Sequence, residues 1–214
     1  MKNKKILILI ALIIIIFFIN VLEIDYYKNN KTITLDDLLI SNKLILFDRK
    51  SEITKIFTDF KDYKYENIGT NSPNKKRIHE TYIYDDIRIT YLTHEGSSEN
   101  GLVISYDIIS NKYPIKDIMV GDDIKSLINR YPDFEAIDLT ANSEITNNIL
   151  NITSRYNGFN SSKLKYTKAV IIPINYSKLD LIRYKNNLPP SILITLLFYN
   201  DKLDIINVTC PSAE

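Results

Sequence analysis

Three pairs of adjacent carboxylates, Asp36-Asp37, Asp85-Asp86 and Asp122-Asp123, and the histidines His79 and His94 are the side chains with the clearest chemical potential in this 214-residue chain. Paired carboxylates can share a proton for acid-base work or hold a cation. Two of the pairs, however, open stretches with helical spacing, where a carboxylate satisfies free N–H groups and the helix dipole; capping is therefore the preferred reading. Asp85-Asp86 separates two β-branched runs and reads as a polar turn. If that turn is two residues long, Tyr84 faces Ile87 and His79 faces Leu92, which leaves His79 diagonal to His94 on one sheet face, with Glu95 nearby. A metal centre needs three or four ligands, so neither a metal nor a cofactor is assigned, and no residue is assigned as catalytic. H-E-x-x-H, a Gly-rich phosphate loop, a G-x-S-x-G elbow and a Cys-His nucleophile pair are all missing from the sequence.

Tyrosine, at 15 residues, is the conspicuous polar aromatic. Tyr63, Tyr65, Tyr82, Tyr84, Tyr91 and Tyr106 gather around the strands expected in the first half. Of these, Tyr82, Tyr84, Tyr91 and Tyr106 are the candidate interface residues, since tyrosine is enriched at protein contacts; it is also a strand former whose ring fills cores.

The elements that position these residues follow from periodicity. Thr34, three residues before Asp37, opens a short helix that carries Leu35, Leu38 and Leu39. A second helix is expected over 51–60, with Ile53, Ile56, Phe57 and Phe60 at i, i+3, i+4 and i+7, and a third over 122–131, with Ile124, Leu127, Ile128 and Tyr131 at the same spacing before Pro132. Strands are expected over 78–84, 87–94 and 102–108, and again over 169–176, 192–199 and 203–209, the last pair joined by Asn200-Asp201-Lys202. Over 143–158 helical and strand spacing compete. The expected class is thus α+β: an N-terminal transmembrane helix followed by two helix-plus-antiparallel-strand repeats, over 35–110 and 111–214.

Gly121-Asp122-Asp123, followed by Ile124, Leu127, Ile128 and Tyr131-Pro132, resembles the repeat opening of extracytoplasmic proteins with the β-lactamase-inhibitor-protein-like fold. The first half departs from that pattern, having Lys50 where the glycine would fall. What the resemblance implies is a helix packed on an antiparallel sheet, in a fold whose members mostly bind other proteins through the open sheet face. It does not imply inhibition of a β-lactamase.

The N-terminus sets the expected location. Residues 1–5 form a basic tail with Lys2, Lys4 and Lys5, and Ile6 to Ile19 contains no polar residue. The large or charged residues that follow offer no A-x-A-like cleavage site. Residues 6–27 are therefore read as a signal anchor, 28–34 as a linker, and the body as extracytoplasmic, with the lysines on the cytoplasmic side of a single-pass span in the lipid bilayer. The alternative is secretion after signal-peptide cleavage. A formal net charge of +1, from 27 basic and 26 acidic side chains, gives no general attraction for nucleic acid, which is not an expected partner. Cys210, the only cysteine, can form no internal disulfide.

These readings favour a membrane-anchored binding module for an envelope or secreted protein, of inhibitory or immunity type, rather than an enzyme. The alternative is an envelope hydrolase using a carboxylate pair or His79 and His94. An exposed, contiguous aromatic patch would favour the first, and a concave pocket on which those groups converge would favour the second.

Overall fold

β-branched and aromatic runs separated by short polar turns dominate the body of the chain, and in the computed structural model, which describes residues 32–67, 77–94, 97, 100–140, 166–176, 180 and 191–211, they become strands. The strands are β1 (Asp62–Asn67), β2 (Arg77–Ile83), β3 (Ile87–His94), β4 (Leu102–Ile108), β5 (Ile137–Asp138), β6 (Lys168–Ile174), β7 (Ile192–Tyr199) and β8 (Lys202–Thr209). They form one sheet in the order β1-β2-β3-β4-β8-β7-β6-β5, and every pairing in it is antiparallel. Two tight turns set the register. Tyr84 N–H donates to the Ile87 carbonyl at 2.9 Å around Asp85-Asp86, and Asn200 and Asp201, both at positive φ, join β7 to β8 in the conformation of a two-residue hairpin. The compact unit that holds the sheet begins at Thr34.

Side-chain alternation sorts the sheet into two faces. Cross-strand pairing aligns Tyr63, Tyr82, Ile89, Tyr106, Val208, Ile194 and Ile172 in one row from β1 to β6. The segment before β1 packs here: Tyr106, fully buried, donates its hydroxyl to the Leu38 carbonyl at 3.2 Å. On the opposite face Ile83, Arg88, Asp107, Asn207 and Thr195 form a second row, next to a third containing Thr81, Thr90, Ser105 and Thr209. That face turns apolar toward β6, where Ala169, Leu197 and Ile205 pack with Leu139 and Tyr166.

The expected α+β class does not hold. The described residues are dominated by the one sheet, and their helices are short: a 3-10 turn at Leu35–Leu38, α1 at Lys50–Ile53 and α2 at Ile124–Arg130. The helix expected over 51–60 ends after one turn, because the chain must straighten for Lys61 N–H to reach the Ile83 carbonyl at 2.7 Å. Ile53 and Phe57 are buried, but Phe60, which should complete the apolar stripe, is 51% exposed. Nor do the two halves stand as separate helix-and-strand repeats, since β4 pairs directly with β8.

The transmembrane, signal-anchor and single-pass localisation readings gain no support from the described residues. Among the described residues no helix is long and apolar enough to cross a membrane. Residues 6–27, on which those readings rested, lie outside the described residues, as do the linker 28–31 and the ambiguous stretch 143–158.

Candidate functional site

The edge of the sheet at β1 gathers three of the four exposed aromatic residues among those described, the fourth being Tyr199 at the end of β7. Tyr63 and Tyr65 alternate with Asp62 and Lys64, so the two rings leave the strand on one face, and they are 39% and 56% exposed. Phe60, just before the strand, places its ring 5.0 Å from that of the half-buried Tyr82, edge-on, and Tyr63 approaches the same Tyr82 ring at 5.0 Å. Tyr82 is thus the floor on which two exposed rings rest.

Below this floor lies an ion pair between the half-buried Lys50 and the buried Glu80. Lys50 at the start of α1 is fixed by its backbone N–H, which donates to the Gly101 carbonyl at 2.7 Å, and its ammonium reaches Glu80 Oε2 at 2.6 Å. Tyr63 donates its hydroxyl to the other Glu80 oxygen at 3.2 Å, and the Lys50 ammonium lies 4.7 Å from the centre of the Tyr82 ring. Burial alone would lower the Lys50 pKa, but hydrogen bonds to Glu80 and Tyr82 outweigh it and hold the ammonium above its ordinary value. Burial and the Glu80 charge push the Tyr63 phenol up to about 12, and burial lifts Tyr84 to about 12; Tyr91 and Tyr106 are raised further, again mainly by burial. These phenols stay protonated at neutral pH, so the cluster offers rings and hydroxyl donors rather than a base or nucleophile.

Of the four tyrosines expected at an interface, Tyr82 borders the exposed patch, while Tyr84, Tyr91 and Tyr106 are buried. Tyr91 and Tyr106 have no exposed surface at all, because their rows place them under the segment that precedes β1, and they cannot touch a partner directly. Phe60 and the exposed ends of Tyr63 and Tyr65 take their place. The available signal was Tyr-x-Tyr at period two between charged residues, which is how a strand with one solvated face reads.

The carboxylate pairs are occupied structurally. Asp37 accepts from the Thr34 backbone N–H at 2.8 Å and from its hydroxyl at 2.9 Å. Asp123 caps α2 by accepting from Lys125 N–H at 3.0 Å and Ser126 N–H at 3.3 Å, and Asp122 pairs with Arg130. Asp85 pairs with Lys61, and Asp86 with Lys112 at 2.8 Å; the Lys112 hydrogen bond holds the Asp86 carboxyl below its ordinary range. Asp85 and Asp86 line a shallow recess of about 200 Å³ with Asp59, Tyr84, Lys112 and Tyr113. An acid that must hold or deliver a proton near neutral pH needs a raised pKa, and the Asp86 shift has the opposite direction.

The register sets His79 opposite Leu92 and His94 opposite Arg77, with His79 buried and His94 exposed. Among the described residues no group of three or more His, Cys, Asp or Glu side chains is placed to hold a metal ion. The remaining polar cluster, Asn207 donating to Asp107 at 2.8 Å with Arg88 3.9 Å away on the other side, is buried in the sheet where β4 meets β8. Asn207 opens an Asn-x-Thr sequence but has no exposed surface, which makes it a structural residue rather than a glycan acceptor. In comparison with known proteins, no protein family, no curated protein and no solved structure matches the chain.

Proposed function

We propose that this chain is a protein-binding module whose contact surface is the aromatic edge formed by Phe60, Tyr63, Tyr65 and Tyr82. The observation that carries the reading is the exposure of Phe60, Tyr63 and Tyr65, at 51%, 39% and 56%, on one side of a strand that ends the sheet. Leaving such rings in water forgoes roughly 25 cal/mol for each Å² of apolar surface, and a partner that covers them recovers it. Tyrosine suits this role because its ring supplies contact area at low conformational cost while its hydroxyl stays hydrogen-bonded.

The ion pair below adds rigidity. Lys50 and Glu80 hold Tyr63 and Tyr82 in place before any partner arrives, which lowers the ordering cost of association. The resemblance of 121–132 to a fold that mostly binds proteins points the same way, with less weight than the exposed rings. The test is photo-crosslinking from position 65 of the full chain in the cells that make it. A discrete adduct with a second polypeptide is the expected result, and the absence of any adduct from position 65 would remove the reading.

A further inference from the structure

β1 ends the sheet, and among the described residues nothing pairs with its outer side. Tyr63 N–H donates to its neighbour's carboxylate, Asp62 Oδ1, at 2.8 Å, so it points away from β2. Backbone groups of alternate residues in an antiparallel strand point to the same side, and Tyr65 therefore also presents its N–H and C=O outward. An edge of this kind is completed by another extended strand.

The side chains narrow the choice of strand. Asp62 and Lys64 are exposed and share the face opposite the two tyrosines. A strand with this alternation is complementary to itself when laid antiparallel about Tyr63: Asp62 falls opposite Lys64 of the other chain, twice by symmetry, while Tyr63 falls opposite Tyr63. Centring the pair on Asp62 or Lys64 would instead set like charges face to face, and a one-residue slip would match the tyrosine face to the charged face. We infer that the occupant of the β1 edge is a second copy of this chain, added antiparallel about Tyr63 so that two sheets become one across a twofold axis. The inference rests on the reading of this edge as a protein contact. In the dimer, Tyr63 N–H exchanges the Asp62 carboxylate for the Tyr63 carbonyl of the other copy, and the freed carboxylate turns to Lys64.

The experiment is sedimentation equilibrium of the full chain over a range of concentrations, with Lys64→Asp, Asp62→Lys and the double variant Asp62→Lys/Lys64→Asp. The native chain is expected to dimerise. Each single reversal replaces two attractions by two repulsions and should weaken the dimer about tenfold, and the double reversal, which restores opposite charges in the same register, should recover it. Recovery in the double variant also shows that loss in the single variants is not loss of fold. A native chain that stays monomeric, single reversals that dimerise as tightly as the native chain, or a double reversal that fails to recover would each overturn the inference. A monomeric chain that still crosslinks from position 65 to a different polypeptide would overturn the second copy as occupant and leave the protein-contact reading standing, whereas no adduct at all would remove both.

Discussion

At the scale of single residues, the acidic side chains that looked chemically suggestive cap the backbone at Asp37 and Asp123 and pair with cationic side chains at Asp85, Asp86 and Asp122. Asp123 accepts from two N–H groups in the first turn of α2, so Asp123→Ala should cost about 0.5–2 kcal/mol of stability, measured by chemical or thermal unfolding, with no loss of partner contact while the chain is folded. A stable variant that had lost its contact would instead point to a functional carboxylate. The tyrosines make a different expectation. Tyr63 and Tyr84 are pushed up to about 12 from an ordinary value of 10.0, so the fold favours their neutral form. That contribution is fully present below pH 10 and is lost as pH rises from 10 toward 12, because the unfolded chain releases these protons first. Ultraviolet titration of the phenols alongside unfolding curves should show late ionisation and falling stability over that same window; phenols that all titrate near 10 would contradict the buried setting of Tyr84 and the Glu80 contact of Tyr63.

At the scale of elements, strands were far more legible than helices. The runs over 87–94 and 102–108 coincide with β3 and β4, because a strand needs only a β-branched or aromatic run bounded by turn residues. The apolar spacing over 51–60 misled because i, i+3 and i+4 are satisfied by a single turn that buries Ile53 and Phe57, after which tertiary demand for β1 takes over. β1 itself escaped notice, since Asp62-Tyr63-Lys64-Tyr65 has no continuous apolar run and no tight turn joins it to β2, which begins only at Arg77. The same difference gives a measurable contrast. Phe57, 8% exposed and 5.2 Å from the Tyr84 ring, should cost about 3–5 kcal/mol when changed to Ala, whereas Phe60→Ala should cost less than about 1 kcal/mol. Equal losses in denaturant unfolding would mean that Phe60 lies in the core, as the longer helix requires.

At the scale of the whole molecule, the sheet order joins two meanders through β4 and β8, and no local pattern announces that junction. Asp107 and Asn207 meet there across 100 residues of sequence, and neither stands out beforehand from other polar residues in strands. The candidate site was legible only in part for the same reason: tyrosine content pointed to the right region, but which rings face solvent depends on what packs over Tyr91 and Tyr106 and on which strand ends the sheet. The central claim is that the β1 end is the contact surface, and other exposed apolar side chains provide the controls. Met119 and Tyr199 are 41% and 43% exposed, comparable to Tyr63 at 39%, but neither belongs to the ring cluster on Tyr82. The most direct measurement places the same photo-crosslinking residue at positions 65, 119 and 199 of the full chain and compares the adducts formed in the producing cells. A discrete polypeptide adduct from position 65, with none from 119 or 199, is the expected result; adducts from 119 or 199 with position 65 silent would contradict the account.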